Sequence, residues 1–106
     1  MEQTFGETIN LLREKNKLTL KEVATSVGID TSMLGKIEKG TRKANPEIIQ
    51  QLSLFFEISE KELRISMISD LIAKQVIKNY KEHAHEILKV AERKVAYQKS
   101  NEKIKN

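Results

Sequence analysis

Basic side chains are concentrated in one short stretch of the first half of the chain. Lys36, Lys39, Arg42 and Lys43 lie within eight positions, with Glu38 as the one acid among them, which gives this stretch a net charge of +3. Ammonium and guanidinium groups at this density attract anions and donate hydrogen bonds to phosphate. The alternative is a solvated run of charges. The chemistry indicated is the binding of a polyanion.

The net charge of the whole chain does not by itself indicate the binding of a polyanion. It is +4 in total, but residues 1–59 are neutral and residues 60–106 carry the entire excess. A globally basic protein is therefore not indicated. The local cluster is the relevant feature, because it adjoins a short helix.

The chain lacks the residue sets that catalysis or metal binding requires. It contains no cysteine, which excludes thiolate metal sites, cysteine nucleophiles and disulfides. His83 and His85 stand two positions apart, and on a helix they point about 200° away from each other, so they do not form a metal site. No nucleophile with its base, phosphate-binding glycine loop or carboxylate pair is evident. We predict no enzymatic activity, no cofactor and no metal.

Two short helices joined by a tight turn are predicted within residues 19–40. Thr19 and Glu22 form a capping box that starts the first helix, and Gly28 suits its C-terminus. Asp30 is a good N-cap for the second helix, which Gly40 ends. Two helices of about eight residues, three residues apart, must cross at a steep angle.

This stretch resembles the helix-turn-helix of the Cro/phage-repressor (XRE) family. Ala24, Gly28, Leu34 and Ile37 match that family in type and spacing, and the resemblance covers roughly residues 4–65. It implies that the second helix is a recognition helix, of a size that fits the major groove of double-stranded DNA. Among members of the family, the chain looks most like regulators encoded beside restriction-modification genes.

The resemblance places the base-reading positions at Thr31, Ser32 and Lys36. None of these side chains makes the bidentate contacts of arginine, glutamine or asparagine, so DNA shape and phosphate contacts are expected to carry more of the discrimination. Leu20 departs from the family, since many relatives carry a glutamine there that bridges a phosphate and the recognition helix. Contacts to phosphates or to the minor groove are expected from flanking residues, namely Thr19, Lys21, Lys39, Arg42, Lys43 and Asn45.

Three further helices complete the predicted head. Thr4 and Glu7 form a capping box for a first helix that runs to about Lys15. Asn45 followed by Pro46 starts a fourth helix that runs to about Glu57, and a third capping box, Ser59 with Glu62, opens the fifth. The family also places a structural pair here, Arg13 with Glu38, which would lock the first helix to the third. Two unrelated surface charges are the alternative.

Residues 66–106 are predicted to form a helical C-terminal extension. No glycine or proline occurs from Glu60 onward, and Asn79 with Glu82 resembles a new N-cap, which predicts a break there. Residues beyond Lys99 are expected to fray. Apolar residues recur at helical spacing along this extension, and the apolar stripe that they form needs a partner, either a second copy of the chain or the chain's own head. The residues assigned to a dimer interface are Ile68, Leu71, Ile72, Val76, Tyr80, Ile87, Leu88 and Val95.

Length and hydropathy complete the interpretation. A chain of 106 residues is one small domain, here a helix-turn-helix region over residues 1–65 followed by the extension. No apolar run approaches the ~20 residues that span a bilayer, and the amino terminus is not a signal peptide. A cytoplasmic location is expected.

The predicted fold is therefore all-α, a five-helix repressor-like head with a helical extension. The predicted function is a sequence-specific DNA-binding regulator of transcription, acting as a homodimer on a palindromic operator as a repressor or autoregulator. The expected partners are double-stranded DNA and a second copy of the chain, with no membrane and no small-molecule ligand. The alternative is a protein-interaction module, or an antitoxin-like protein, whose helical extension binds another protein.

Overall fold

The computed structural model describes residues 2–105 and the side chains of residues 2–102, and within that range all regular structure is helical. The predicted all-α class is confirmed. The helices in chain order are α1 (Phe5–Lys15), α2 (Leu20–Val27), α3 (Thr31–Lys39), α4 (Pro46–Phe56), α5 (Glu60–Tyr80), a 3-10 turn (Lys81–His83) and α6 (Ala84–Lys105).

The chain divides into two compact units, an N-terminal unit that ends at Leu71 and a C-terminal unit that begins at Ile72. The division falls inside α5. The N-terminal unit contains the helix-turn-helix, and a single buried core holds it together. The members of this core are Phe5, Ile9, Val23, Ala24, Val27, Leu34, Ile37, Ala44, Ile48, Ile49, Leu52, Leu63 and Met67.

Reciprocal capping boxes start α1 and α2, as the sequence predicts. The Glu7 N–H donates to Thr4 Oγ1 at 3.1 Å, and the Thr4 N–H donates to Glu7 Oε1 at 3.0 Å. Thr19 and Glu22 exchange the same two bonds at 3.1 and 2.9 Å. Because each carboxylate accepts a backbone N–H, the bonds favour its ionised form and lower the pKa of Glu7 and of Glu22.

Two glycines in the left-handed conformation end α2 and α3. Gly28 has φ 79° and Gly40 has φ 80°, a region that glycine enters at little cost. Asp30 Oδ1 caps α3 by accepting the Met33 N–H at 2.7 Å, and Asn45 Oδ1 caps α4 by accepting the Ile48 N–H at 2.8 Å. The predicted boundaries of these helices are confirmed.

The connection between α4 and α5 differs in detail from the prediction. Helix α4 ends at Phe56, and Glu57 takes the left-handed conformation with φ 54°. The Glu62 N–H donates to Ser59 Oγ at 3.1 Å. The expected return bond from the Ser59 N–H to the Glu62 carboxylate is absent from this part of the described chain, so Ser59 caps α5 without a full capping box.

The predicted break in the extension is present, but its cause is not the predicted one. Tyr80 leaves the helical region with φ −139° and ψ 35°, and Lys81–His83 form a 3-10 turn without a side-chain cap. Asn79 is not an N-cap, because it lies inside α5 and its Nδ2 donates to the Gln75 carbonyl at 3.2 Å. Helix α6 continues beyond Lys99 to Lys105. The fraying expected there stays a prediction, and residue 106 lies outside the described residues.

Candidate nucleic-acid interface

The inward side of α3 fixes which of its residues face solvent. Leu34 is 0% and Ile37 is 1% exposed, so both side chains belong to the core of the N-terminal unit. At 100° per residue, Ser32, Lys36 and Lys39 then project from the opposite side of the helix. Thr31 is exposed as well. All three predicted base-reading residues, Thr31, Ser32 and Lys36, are therefore accessible to a ligand.

The turn before α3 sets the direction of the helix. The Gly28 N–H donates to the carbonyls of Ala24 and Thr25 at the end of α2, and the Ile29 N–H donates to the Ala24 carbonyl at 3.0 Å. A side chain at Gly28 would meet no atom within 4 Å. The requirement for glycine at this position is therefore its positive φ, not a lack of space.

Helix α1 supports the C-terminal half of α3 through a partly buried ion pair. Arg13 Nε donates to Glu38 Oε2 at 2.8 Å, and Arg13 Nη2 donates to Glu38 Oε1 at 3.1 Å. The two side chains are only 15% and 7% exposed. Asn10 Nδ2 also donates to Glu38 Oε1 at 2.9 Å, and Arg13 Nη1 donates to the Leu18 carbonyl at 3.0 Å. Hydrogen bonding to Glu38 raises the pKa of Arg13.

Such a pair orients elements more than it adds net stability, because desolvation of both charges offsets their attraction. Here it joins the last turn of α1 to the last turn of α3. The exposed face of α3 is thus held by a planar two-bond contact.

The residues predicted to contact phosphates are all exposed, although two of them already have structural roles. The Thr19 N–H donates to Glu22 Oε1 at 2.9 Å, so this backbone amide is not free to bind a phosphate. The Thr19 hydroxyl accepts from Glu22 and can still donate its proton. Asn45 uses Oδ1 as a cap, which leaves its NH₂ group as a donor. Lys21 is exposed in the first turn of α2.

Four of the predicted DNA-contact residues line one shallow depression. Thr31, Ser32 and Lys36 of α3 share it with Arg42 of the following loop, and Asp30 and Met33 complete its lining. Lys39 and Lys43 are exposed but do not line this depression. The structure therefore separates Arg42 from Lys43, which the sequence had placed in one group.

Leu20 lies where the family resemblance implies a polar side chain that bridges a phosphate and the recognition helix, and its own side chain is apolar. It packs against the core while remaining partly exposed, and a methyl group added at Gly35 would lie 3.9 Å from Leu20 Cδ1. Leu20 Cδ1 therefore lies near Gly35, in the middle of α3.

Seven of the eight residues assigned to a dimer interface are exposed. Their exposed fractions run from 37% for Leu71 and Ile87 to 58% for Val95. Val76 is the exception, because it is only 8% exposed and offers little accessible surface. In the N-terminal unit, Ile65 is 54% exposed three residues before Ile68, which is 50% exposed. The sequence assignment missed Ile65, although its helical spacing from Ile68 was the available signal.

The described residues hold no group of three His, Cys, Asp or Glu side chains that could bind a metal ion. His83 and His85 are both exposed. None of the helices in this part of the chain is long and apolar enough to cross a membrane.

Known proteins are similar to the part of this chain that contains α3. A helix-turn-helix family profile matches residues 9–63. The chain is 36% identical over 52 residues to the HTH-type transcriptional repressor RghR of Bacillus subtilis (strain 168). That alignment covers 48% of this chain and 38% of the relative, so the chain spans well under half the length of the repressor.

A solved structure is similar as well. The restriction-modification controller protein C.AhdI from Aeromonas hydrophila matches with a TM-score of 0.52 and 30% sequence identity. The match covers 56% of this chain and 89% of the controller. Nearly the whole controller chain therefore has a counterpart in a little over half of this one.

Proposed function

The chain belongs to the helix-turn-helix family, in its Cro/phage-repressor (XRE) branch, and on this premise we propose that it regulates transcription by binding specific DNA sequences. In the proposed mechanism a homodimer occupies a roughly palindromic operator, with one α3 in the major groove of each half-site. Bound near a promoter, the dimer blocks RNA polymerase, as a repressor or autoregulator does. No catalytic role is proposed.

The observation that carries this proposal is the exposed face of α3. Thr31, Ser32 and Lys36 project from a helix that a glycine turn and the Arg13–Glu38 pair hold in place. Hydroxyl and ammonium groups on a helix that fits the major groove are suited to base edges. The phosphate contacts are assigned to the surrounding exposed donors, namely Thr19, Lys21, Lys39, Arg42, Lys43 and Asn45.

Exposed apolar side chains support the dimer. Ile68 and Leu71 in the N-terminal unit, and Ile72, Tyr80, Ile87, Leu88 and Val95 in the C-terminal unit, are large apolar residues with at least 37% of their surface exposed. Large exposed apolar side chains are typical of interaction sites, and we assign these residues to the contact between two copies of the chain. Two-fold pairing is the commonest arrangement of identical chains, and it sets two recognition helices about one DNA turn, ~34 Å, apart.

DNA binding is tested with a duplex that the wild-type protein selects from a randomised library. We expect tight binding whose logarithm falls linearly with the logarithm of the salt concentration. The double substitution Lys36→Glu with Lys39→Glu should abolish binding. Lys61→Glu with Lys74→Glu changes the net charge equally at exposed positions of α5 and should change affinity little. Equal affinity of both double variants would refute the assignment of α3.

The dimer is tested by size-exclusion chromatography with light scattering. We expect a mass of twice the 12.2 kDa chain at micromolar concentration. Ile68→Glu and Leu88→Glu place a charge in each unit's apolar surface in turn, and the variant that yields a monomer identifies the interface. Gln75→Glu, at an exposed polar position, is the control. A wild-type monomer at this concentration would refute the dimer.

A second candidate function rests on α6. Ile87, Leu88 and Val95 are all exposed on a helix whose described residues are almost entirely accessible. Under this alternative the extension binds another protein, and DNA binding is secondary. The same DNA selection separates the two functions, because a pure interaction module would enrich no sequence from the library.

The relatives suggest which genes are controlled. One relative is a transcriptional repressor and the other is a restriction-modification controller by name. We propose a controller role of the same kind for this chain. It is supported if the selected sequence lies upstream of its own gene and that gene adjoins a nuclease or methyltransferase gene.

A further inference from the structure

Arg42 belongs to the surface that is proposed to read DNA. Its side chain is exposed and lines the same depression as Thr31, Ser32 and Lys36. Among the described residues it has no ion-pair partner, since the ion pairs found there are Arg13–Glu38 and Arg64–Glu60. The guanidinium is therefore free to bind a ligand that covers α3.

The loop that carries Arg42 is fixed on both sides. Gly40, with φ 80°, turns the chain back, so that the Thr41 N–H and the Thr41 hydroxyl both donate to the Lys36 carbonyl, at 3.0 and 3.3 Å. Two positions beyond Arg42, Ala44 is only 5% exposed and packs in the core. The backbone of Arg42 thus has a defined position relative to Lys36, which reduces the entropy lost on binding.

The charges in the depression favour a base edge over a phosphate. Lys36 and Arg42 are balanced in part by Asp30, whose carboxylate caps α3 from the same lining. A phosphate in this depression would face that carboxylate, whereas a base edge carries no net charge. Lys43 does not line the depression, and its exposed ammonium meets no such constraint.

The side chains of α3 that face the depression cannot make one kind of base contact, the planar bidentate contact of arginine to guanine. Thr31, Ser32 and Lys36 have no planar pair of donors, and the guanidinium of arginine supplies that pair in the geometry that guanine O6 and N7 accept. We infer that Arg42 is a specificity-determining residue that reads a guanine in the major groove together with α3. The inference rests on the proposed DNA-binding function and refines it, because Arg42 would otherwise serve a phosphate or the minor groove.

The test compares four proteins in the same selection from a randomised duplex library: the wild type, Arg42→Ala, Arg42→Lys and Lys43→Ala. We expect both Arg42 variants to lose the guanine preference at one position of each half-site, by roughly 5- to 150-fold, and to keep the remaining sequence preference. Arg42→Lys retains the charge but not the planar fork, so it should fail at the same position.

Lys43→Ala is the matched control. It should keep the full sequence preference, bind every duplex more weakly, and reduce the salt dependence by about one phosphate contact. If Arg42→Ala behaves in the same way, Arg42 contacts phosphate and the inference is overturned. If the Arg42 variants lose an A·T preference instead of a guanine, the residue reads the minor groove and the inference is also overturned. If the wild type selects no sequence, the proposed function itself fails, and the inference fails with it.

Discussion

The substitution Gly6→Ala tests how α1 holds the recognition helix. Gly6 is buried where α1 meets the end of α3, and a methyl group there would lie closest to the Glu38 carbonyl oxygen, 2.5 Å from the Ile37 carbonyl oxygen and 2.8 Å from the Glu38 carbonyl carbon. All three atoms belong to the backbone, so they cannot rotate away as a side chain would. The two helices would have to separate by at least 0.5 Å to bring the Ile37 contact to 3.0 Å.

Two effects of opposite sign decide the outcome. Alanine is favoured over glycine in a helix by up to about 1 kcal/mol, and the gain is smaller here because Gly6 lies in the first turn. Overpacking of a closely packed contact costs about 1–3 kcal/mol. The steric cost exceeds the gain, so we expect Gly6→Ala to lower the free energy of unfolding. For a domain of this size the melting temperature should fall by roughly 5–15 °C.

Gly35→Ala is the matched control, since it makes the same chemical change inside α3. The added methyl group would meet Leu20 Cδ1 at 3.9 Å, an ordinary contact. Gly35→Ala should therefore stabilise the protein by up to about 1 kcal/mol. Urea and thermal unfolding, followed by far-UV circular dichroism, measure both variants. The reasoning is refuted if Gly6→Ala is as stable as the wild type, or if Gly35→Ala is destabilised to the same degree.

Two further predictions concern charged groups. Arg13→Ala should destabilise the protein by about 3 kcal/mol in urea unfolding, because it leaves the nearly buried Glu38 carboxylate without its cation. Arg13→Met combined with Glu38→Leu removes both charges and should recover most of that loss. Equal instability of the single and the double variant would contradict the role given to this ion pair. Glu7 and Glu22 should titrate below 4.5, the ordinary value of a glutamate, when followed by NMR. Since their pKa values are lowered in the folded state, the stability they contribute is present above pH 4.5 and is lost as the pH falls through the folded values; titration of either group at or above 4.5 would contradict the capping boxes.

The order and limits of the helices could be predicted because their signals are local. The hydroxyl of Thr19, the carboxylate of Glu22 and the positive φ of Gly28 act within one or two turns of the chain, so the residue types and their spacing are sufficient. The exposed face of α3 follows in the same way, once Leu34 and Ile37 are assigned to the core.

Local signals were less reliable in the C-terminal extension. Asn79 and Glu82 have the spacing of a cap, and the helix does break beside them, but Asn79 bonds within α5 and Tyr80 departs from helical geometry. Nothing in the spacing distinguishes a cap from a side chain that bonds back to the preceding turn, because the amide of one asparagine can accept a backbone N–H through Oδ1 or donate to a backbone carbonyl through Nδ2.

The sequence by itself determined the all-α fold, the helix-turn-helix and the residues that α3 presents. Apart from the Arg13–Glu38 pair, which the family resemblance implied, only the tertiary structure decided how that helix is supported. Asp70 Oδ2 accepts the Phe5 N–H at 2.7 Å across 65 positions of sequence, Gly6 allows α1 to approach the end of α3, and the loop brings Arg42 beside Thr31. The physical reason is that each of these contacts depends on the relative position of two elements, and side-chain packing, not local backbone preference, fixes that position.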